Sequence, residues 1–235
     1  MCDKDFSFWA TRRNIGTPQL WAVDIGTDYW AFFASNGALT AGNGHELSDY
    51  GWTTTTLALS DGQDADFITS ADIGTPGGMT LADASDVLKS PAIFGDYAHA
   101  RAVQGILGYL PTQLIVEVYA AFTTVINNET ATAFGLYEAG GAPADAAAAM
   151  ATVYSDGTNF GLRSGAAADA GAAVDTSFHL WRIEVDATNI EWFIDGTSQG
   201  TLALQADLWP VSFGAGVVAA GANDIVLKWA HLWYV

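Results

Sequence analysis

The most regular alternation of apolar and polar positions lies in the second half of the chain. In "LIVEVYAAF", Leu114, Val116, Val118, Ala120 and Phe122 fall on one face and Ile115, Glu117, Tyr119 and Ala121 on the other. That is the period of two that a half-buried strand produces. "FHLWRIEVDATNIEWFIDG" contains two such runs around a turn. Trp181, Ile183 and Val185 alternate with Arg182, Glu184 and Asp186, and then Ile190, Trp192 and Ile194 alternate with Glu191, Phe193 and Asp195. Two period-two runs about a tight turn predict an antiparallel hairpin with its charges on a wet face. Asp156-Gly157 and Asp195-Gly196 supply further tight turns. "TATAFGLYE" reads as another strand, and the alanine-rich "GGAPADAAAAMA" after it as a loop with one helical turn. The closing run "NDIVLKWAHLWYV" predicts a last strand with Ile225, Leu227, Trp229, His231, Trp233 and Val235 on one face, and Trp181, Trp192, Trp229 and Trp233 are assigned to the core.

The first half is less regular. "LWAVDIG", "DYWAFFAS" and "WTTTTLALS" are short β-rich runs separated by Gly, Asn and Asp turns. Residues 61–110 are rich in loop signals, although Thr80 as an N-cap with Asp83 three residues on predicts one short helix over residues 80–90. Residues 1–20 form an arm or edge strand carrying Phe8, Trp9, Arg12 and Arg13. Two readings stand for it: a terminal strand paired to the main sheet, or an extension docked on another subunit. Strands spaced by turns with almost no helix predict an all-β sandwich or barrel over residues 21–235.

Charge narrows the partners. Asp and Glu outnumber Lys and Arg 26 to 8, for a formal net charge of −18. This argues against nucleic acid, whose phosphates need Lys and Arg. Charged residues are only 14% of the chain, below the roughly one quarter that is usual, which suggests surface covered in an assembly. Cys2 is the sole cysteine, so no internal disulfide is expected. The start "MCDKDFSFWATRRN" lacks the apolar stretch of a signal peptide, and no run of about eighteen apolar residues predicts a membrane span. Synthesis and retention in the cytoplasm, at least until assembly, are the expectation.

The segment "FHLWRIEVDATNIEWFIDGTSQGTL" resembles the hairpin of concanavalin A-like (laminin-G-like) jelly-roll domains, through His179, Trp181 to Glu184 and Trp192 to Gly196. The resemblance covers about residues 110–235 and implies an antiparallel jelly-roll β-sandwich, here with an N-terminal arm. Enzymes of that fold that cleave β-glucans use same-strand carboxylates, as E-x-D-x-E. Glu184 and Asp186 have the spacing, but Glu191 lies across the turn, so the group reads as a solvated face and no catalytic residue is assigned.

His45, His99, His179 and His231 have no zinc spacing. Asp61, Asp64 and Asp66 have a calcium-like spacing but read as a solvated loop, so no metal or cofactor is expected. Trp9, Trp30, Trp52 and Trp209 are left as surface anchors for a sugar or a protein. The reading preferred on these grounds is a non-enzymatic virion structural protein. It would be a phage capsid cement (decoration) protein on the outer capsid surface, a homo-oligomer guessed to be a trimer. Phe8, Trp9, Arg12 and Arg13 would meet the major capsid protein or a neighbouring subunit. A carbohydrate-binding module and a glycoside hydrolase of the same fold are the alternatives.

Overall fold

The computed structural model describes residues 21–24, 28–32, 53–55, 79–81, 87–90, 112–122, 132–138, 146–205, 211–217 and 225–235. They form strands β1 (Trp21–Asp24), β2 (Asp28–Phe32), β3 (Thr53–Thr55), β4 (Met79–Leu81), β5 (Val87–Lys89), β6 (Leu114–Phe122), β7 (Thr132–Glu138), β8 (Ala149–Ser155), β9 (Asn159–Ser164), β10 (Ala167–Ala173), β11 (His179–Val185), β12 (Asn189–Ile194), β13 (Thr197–Ala203), β14 (Val211–Val217) and β15 (Ile225–Tyr234). One sheet has the order β1-β2-β15-β6-β11-β12-β13, with β4 also pairing β15; the other has the order β10-β9-β8-β7-β14-β5-β3. Every pairing is antiparallel. The molecule is therefore an all-β sandwich of two antiparallel sheets.

Local chemistry explains the hairpins. Between β11 and β12, Asp186 Oδ1 accepts hydrogen bonds from the amides of Thr188 and Asn189, at 2.7 Å each. Asp156 does the same for Thr158 and Asn159 between β8 and β9. These side-chain turns reinforce the backbone bonds from Asp186 N–H to the Asn189 carbonyl (3.0 Å) and from Asp156 N–H to the Asn159 carbonyl (3.1 Å) that close the reversals. Between β12 and β13 the turn has positive φ at both Asp195 (49°) and Gly196 (80°), which matches the twist of the flanking strands. The alanine-rich run contributes one 3-10 turn, Ala146–Ala148.

Both sheets fill the core between them. Trp181 of β11 stands edge-on to Phe160 of β9 (4.9 Å between centroids), Phe134 of β7 (5.6 Å) and Phe122 of β6 (6.2 Å). Its Nε1–H donates to the Ala120 carbonyl at 3.0 Å, so burying the indole leaves no polar atom unpaired. Val116, Val118, Ile183 and Trp192 from one sheet and Leu136, Val153, Leu162 and Phe213 from the other are fully buried.

Two sequence expectations fail. The helix expected over residues 80–90 does not form at its described ends: β4 and β5 occupy them, paired to β15 and to β14 and β3 respectively. Cross-strand partners outweigh a weak local helix signal. In β15 the single-face assignment breaks at a β-bulge. Leu227 pairs with Ala120 and Trp229 with Tyr119, so Lys228 is an extra residue. Past the bulge Ala230, Leu232 and Tyr234 point into the core, and Trp229, His231 and Trp233 lie on the outer face, half-buried. Trp229 and Trp233 are thus not core residues. The N-terminal arm lies outside the described residues.

Candidate functional site

The bulge in β15 builds a distinctive surface. On the outer face of the larger sheet, register sets three rows of neighbours: Trp229–Tyr119–Leu180, then His231–Glu117–Arg182–Phe193, then Trp233–Ile115–Glu184–Glu191–Thr201. Directly opposed side chains in such rows have their Cβ atoms about 4.5–5.5 Å apart.

Aromatic rings gather at two places on this face. Tyr119 stacks near Trp229 (6.2 Å between centroids, 27° between planes) and lies 5.4 Å from Phe178. The Lys228 ammonium, carried on the bulge, sits over Phe178 at 4.3 Å, and burial pushes its pKa down. At the second place the His231 and Trp233 rings stack at 4.0 Å and 19°.

Charged groups lie between and beside the rings. Arg182 donates from Nε to Glu184 Oε1 (2.6 Å) and from Nη1 to Glu117 Oε1 (3.1 Å), and its guanidinium is 5.7 Å from the Trp233 ring centroid. Burial works against the guanidinium charge, but the two carboxylates outweigh it and raise its pKa. Glu191 directly faces Glu184 across β11 and β12 and accepts from the Ser198 hydroxyl at 2.8 Å. Asp186, the other half of the proposed same-strand pair, is spent on its turn.

His179 is a different matter. Its Nδ1 is 2.6 Å from Asp195 Oδ2 and its Nε2 is 3.0 Å from Asp175 Oδ1, with Phe160 and Trp181 edge-on behind it. Asp195 also accepts from the Leu180 amide. This is a clasp for the hairpin. Burial disfavours the charged imidazole, yet the two carboxylates raise its pKa above the usual 6.5. The Ser177 amide first, and His179 after it, hold Asp175 low; His179 and Leu180 outweigh burial at Asp195.

Linkage sets the signs. The His179 contribution is complete below about pH 6.5 and fades as pH rises through the raised folded value. The Asp175 and Asp195 contributions are complete above about pH 4 and fade as pH falls through their depressed values. Urea denaturation across pH is expected to show a plateau between those limits, and His179→Gln is expected to remove the fall on the alkaline side. An unchanged alkaline limb in that variant would sink the assignment.

Of the other sequence candidates, register brings Trp30 of β2 into the His231 row. Phe8, Trp9, Arg12, Arg13, His45, Trp52, Asp61, Asp64, Asp66, His99 and Trp209 lie outside the described residues. Among the described residues there is no group of three His, Cys, Asp or Glu arranged to hold a metal. No helix among them is long and apolar enough to cross a membrane. The sequence signal that was missed is His231 itself: a histidine in a column otherwise assigned to the core marks that column as doubtful.

No protein-family model matches this chain, and no curated protein matches it. Solved structures do. The conserved carbohydrate esterase from the Shiga toxin-encoding bacteriophage phi24B has a TM-score of 0.52 at 11% identity, covering 80% of this chain and 92% of that one. Trypanosoma rangeli sialidase in complex with sialic acid has a TM-score of 0.49 at 11% identity, over 87% of this chain and 30% of that one. The Crh5 transglycosylase has 0.48 at 13%, over 92% and 86%. At 11% identity the likeness to the phage esterase bears on the sandwich fold alone.

The comparison also corrects the functional expectation. A non-enzymatic capsid cement protein was expected, whereas the phage neighbour that shares this fold is by name a carbohydrate esterase. The physical reason is visible in β15. The expectation rested on a resemblance and on absences, among them that of a carboxylate pair or an exposed aromatic groove. The bulge brings Trp229 and Trp233 outward, and the hairpin register sets Glu191 against Glu184 beside them.

Proposed function

We propose that this chain is a carbohydrate-binding β-sandwich whose ligand lies on the outer face of the larger sheet. The observation that carries the reading is the outward turn of Trp229, His231 and Trp233 after the bulge, next to Tyr119 and ringed by Glu117, Arg182, Glu184 and Glu191. Sugars present apolar C–H faces that stack on such rings and hydroxyls that bond to such polar groups. Carbohydrate also stands in the name of the phage esterase whose fold this chain shares.

The test is binding to a panel of immobilised polysaccharides, followed by Trp233→Ala. Anchor truncation of this kind is expected to weaken binding at least about ten-fold, equivalent to about 1.4 kcal/mol, while the folded spectrum is retained. Binding unchanged in that variant would move the site elsewhere.

A second reading is glycan cleavage, favoured by Glu191 directly opposite Glu184. Retaining hydrolysis uses two carboxyl groups about 5 Å apart. Release of soluble sugar in the same experiment, abolished by Glu191→Gln, would select cleavage over binding alone.

A further inference from the structure

We infer that the ligand of this face is an extended, uncharged polysaccharide segment lying along β15 and spanning both aromatic platforms, and that acidic sugars are excluded. The inference rests on the carbohydrate-binding reading and specifies its ligand.

Length comes from the strand. Trp229 and Trp233 occupy the same face of β15 four residues apart, which at about 3.4 Å per residue separates them by about 14 Å. That exceeds a single pyranose ring, so one monosaccharide covers one platform and only an oligosaccharide covers both. Beside the His231 ring, in the row between Trp229 and Trp233, Glu117 and Arg182 present polar groups, where a sugar chain bridging the platforms would carry its hydroxyls.

Charge comes from the side chains facing outward. Glu117, Glu184 and Glu191 stand against Arg182 and Lys228. Arg182 is held by Glu117 and Glu184, and Lys228 rests on the Phe178 ring. A carboxylate or sulfate on the ligand would have to take Arg182 from two existing partners and approach a chain of net charge −18. Uncharged sugars face neither obstacle, and the carboxylates accept their hydroxyl hydrogens.

The experiment is calorimetric titration of the intact chain with neutral glucan and N-acetylglucosamine oligomers, from the monosaccharide to the hexasaccharide, and with oligogalacturonates of matching length. Trp229→Ala and Trp233→Ala are run alongside, each checked for an unchanged folded spectrum. Affinity for at least one neutral series is expected to climb with length and then level off. Each variant should lose at least about ten-fold on the long oligomers while leaving the shortest binders much less affected. The galacturonates should bind at least about ten-fold more weakly at low salt, with the gap narrowing at high salt as screening grows.

A monosaccharide binding as tightly as the hexasaccharide would overturn the extended ligand. Galacturonates binding as well as neutral chains would overturn the exclusion of acidic sugars. Either result leaves the carbohydrate-binding reading standing. Failure of both series and of the polysaccharide panel, with the two variants altering self-association instead, would overturn both and make the face an interface between copies of this chain.

Discussion

Trp192→Ala is expected to destabilise the fold by about 3–5 kcal/mol, the range of large aromatic truncations in packed cores. The indole is fully buried, and it does more than fill space. It stands on β12 of the larger sheet, its ring lies against the backbone of Gly171 on β10 of the smaller one, and its Nε1–H reaches Asp169 Oδ2 at 3.4 Å. Removing it opens a cavity where the edges of the two sheets meet. For a domain whose total stability is about 5–15 kcal/mol, that loss is a large fraction. Urea denaturation measures it, and Trp192→Phe should recover a good part because most of the apolar volume stays. A midpoint for Trp192→Ala within error of the parent protein would refute the burial. Trp229→Ala, which truncates a half-buried ring on the outer face, should cost markedly less, so the two substitutions separate core from platform.

Gly135→Ala is expected to cost at least about 3 kcal/mol and in the limit to prevent folding. Gly135 sits mid-strand in β7, between Gly214 of β14 and Thr152 of β8, with φ at +140°. A Cβ there would run into the Ala151 carbonyl oxygen and come within 2.9 Å of the Thr152 Cα. Both obstacles are backbone, so neither can swing aside without breaking the β7–β8 ladder. The register shift between Leu136 and Tyr137 belongs to the same local distortion. Gly196→Ala is the control: its φ is +80°, but nothing lies within 4 Å of the added carbon. Its cost should be only the left-handed penalty of about 1–2 kcal/mol. Equal thermal shifts in the two variants would show that crowding at Gly135 is not what demands glycine there.

The strands of residues 112–235 were legible because their period-two patterns are long and their turns carry strong local chemistry. The β11–β12 hairpin reads directly from Trp181, Ile183, Val185, Ile190, Trp192 and Ile194, and the structure buries all six. Residues 80–90 were misread because three-residue strands such as β4 and β5 carry too little pattern to compete with a capping signal. Their state is decided by the strands beside them.

The outer face was illegible for a sharper reason. In β15 both columns are rich in large apolar groups, Trp229 and Trp233 around His231 in one and Ala230, Leu232 and Tyr234 in the other, so apart from His231 periodicity does not say which faces the core. One extra residue in a strand exchanges the two faces. Nothing in "IVLKWAHLWYV" announces that Lys228 is that residue; the pairing of Leu227 with Ala120 and Trp229 with Tyr119 does. The chain by itself determined an all-β sandwich, its central hairpins and an acidic character, because these follow from local alternation, turn residues and composition. Only the tertiary structure decided which tryptophans line a surface and which carboxylates meet there. Those are properties of register between strands, and register is set by neighbours distant in the sequence.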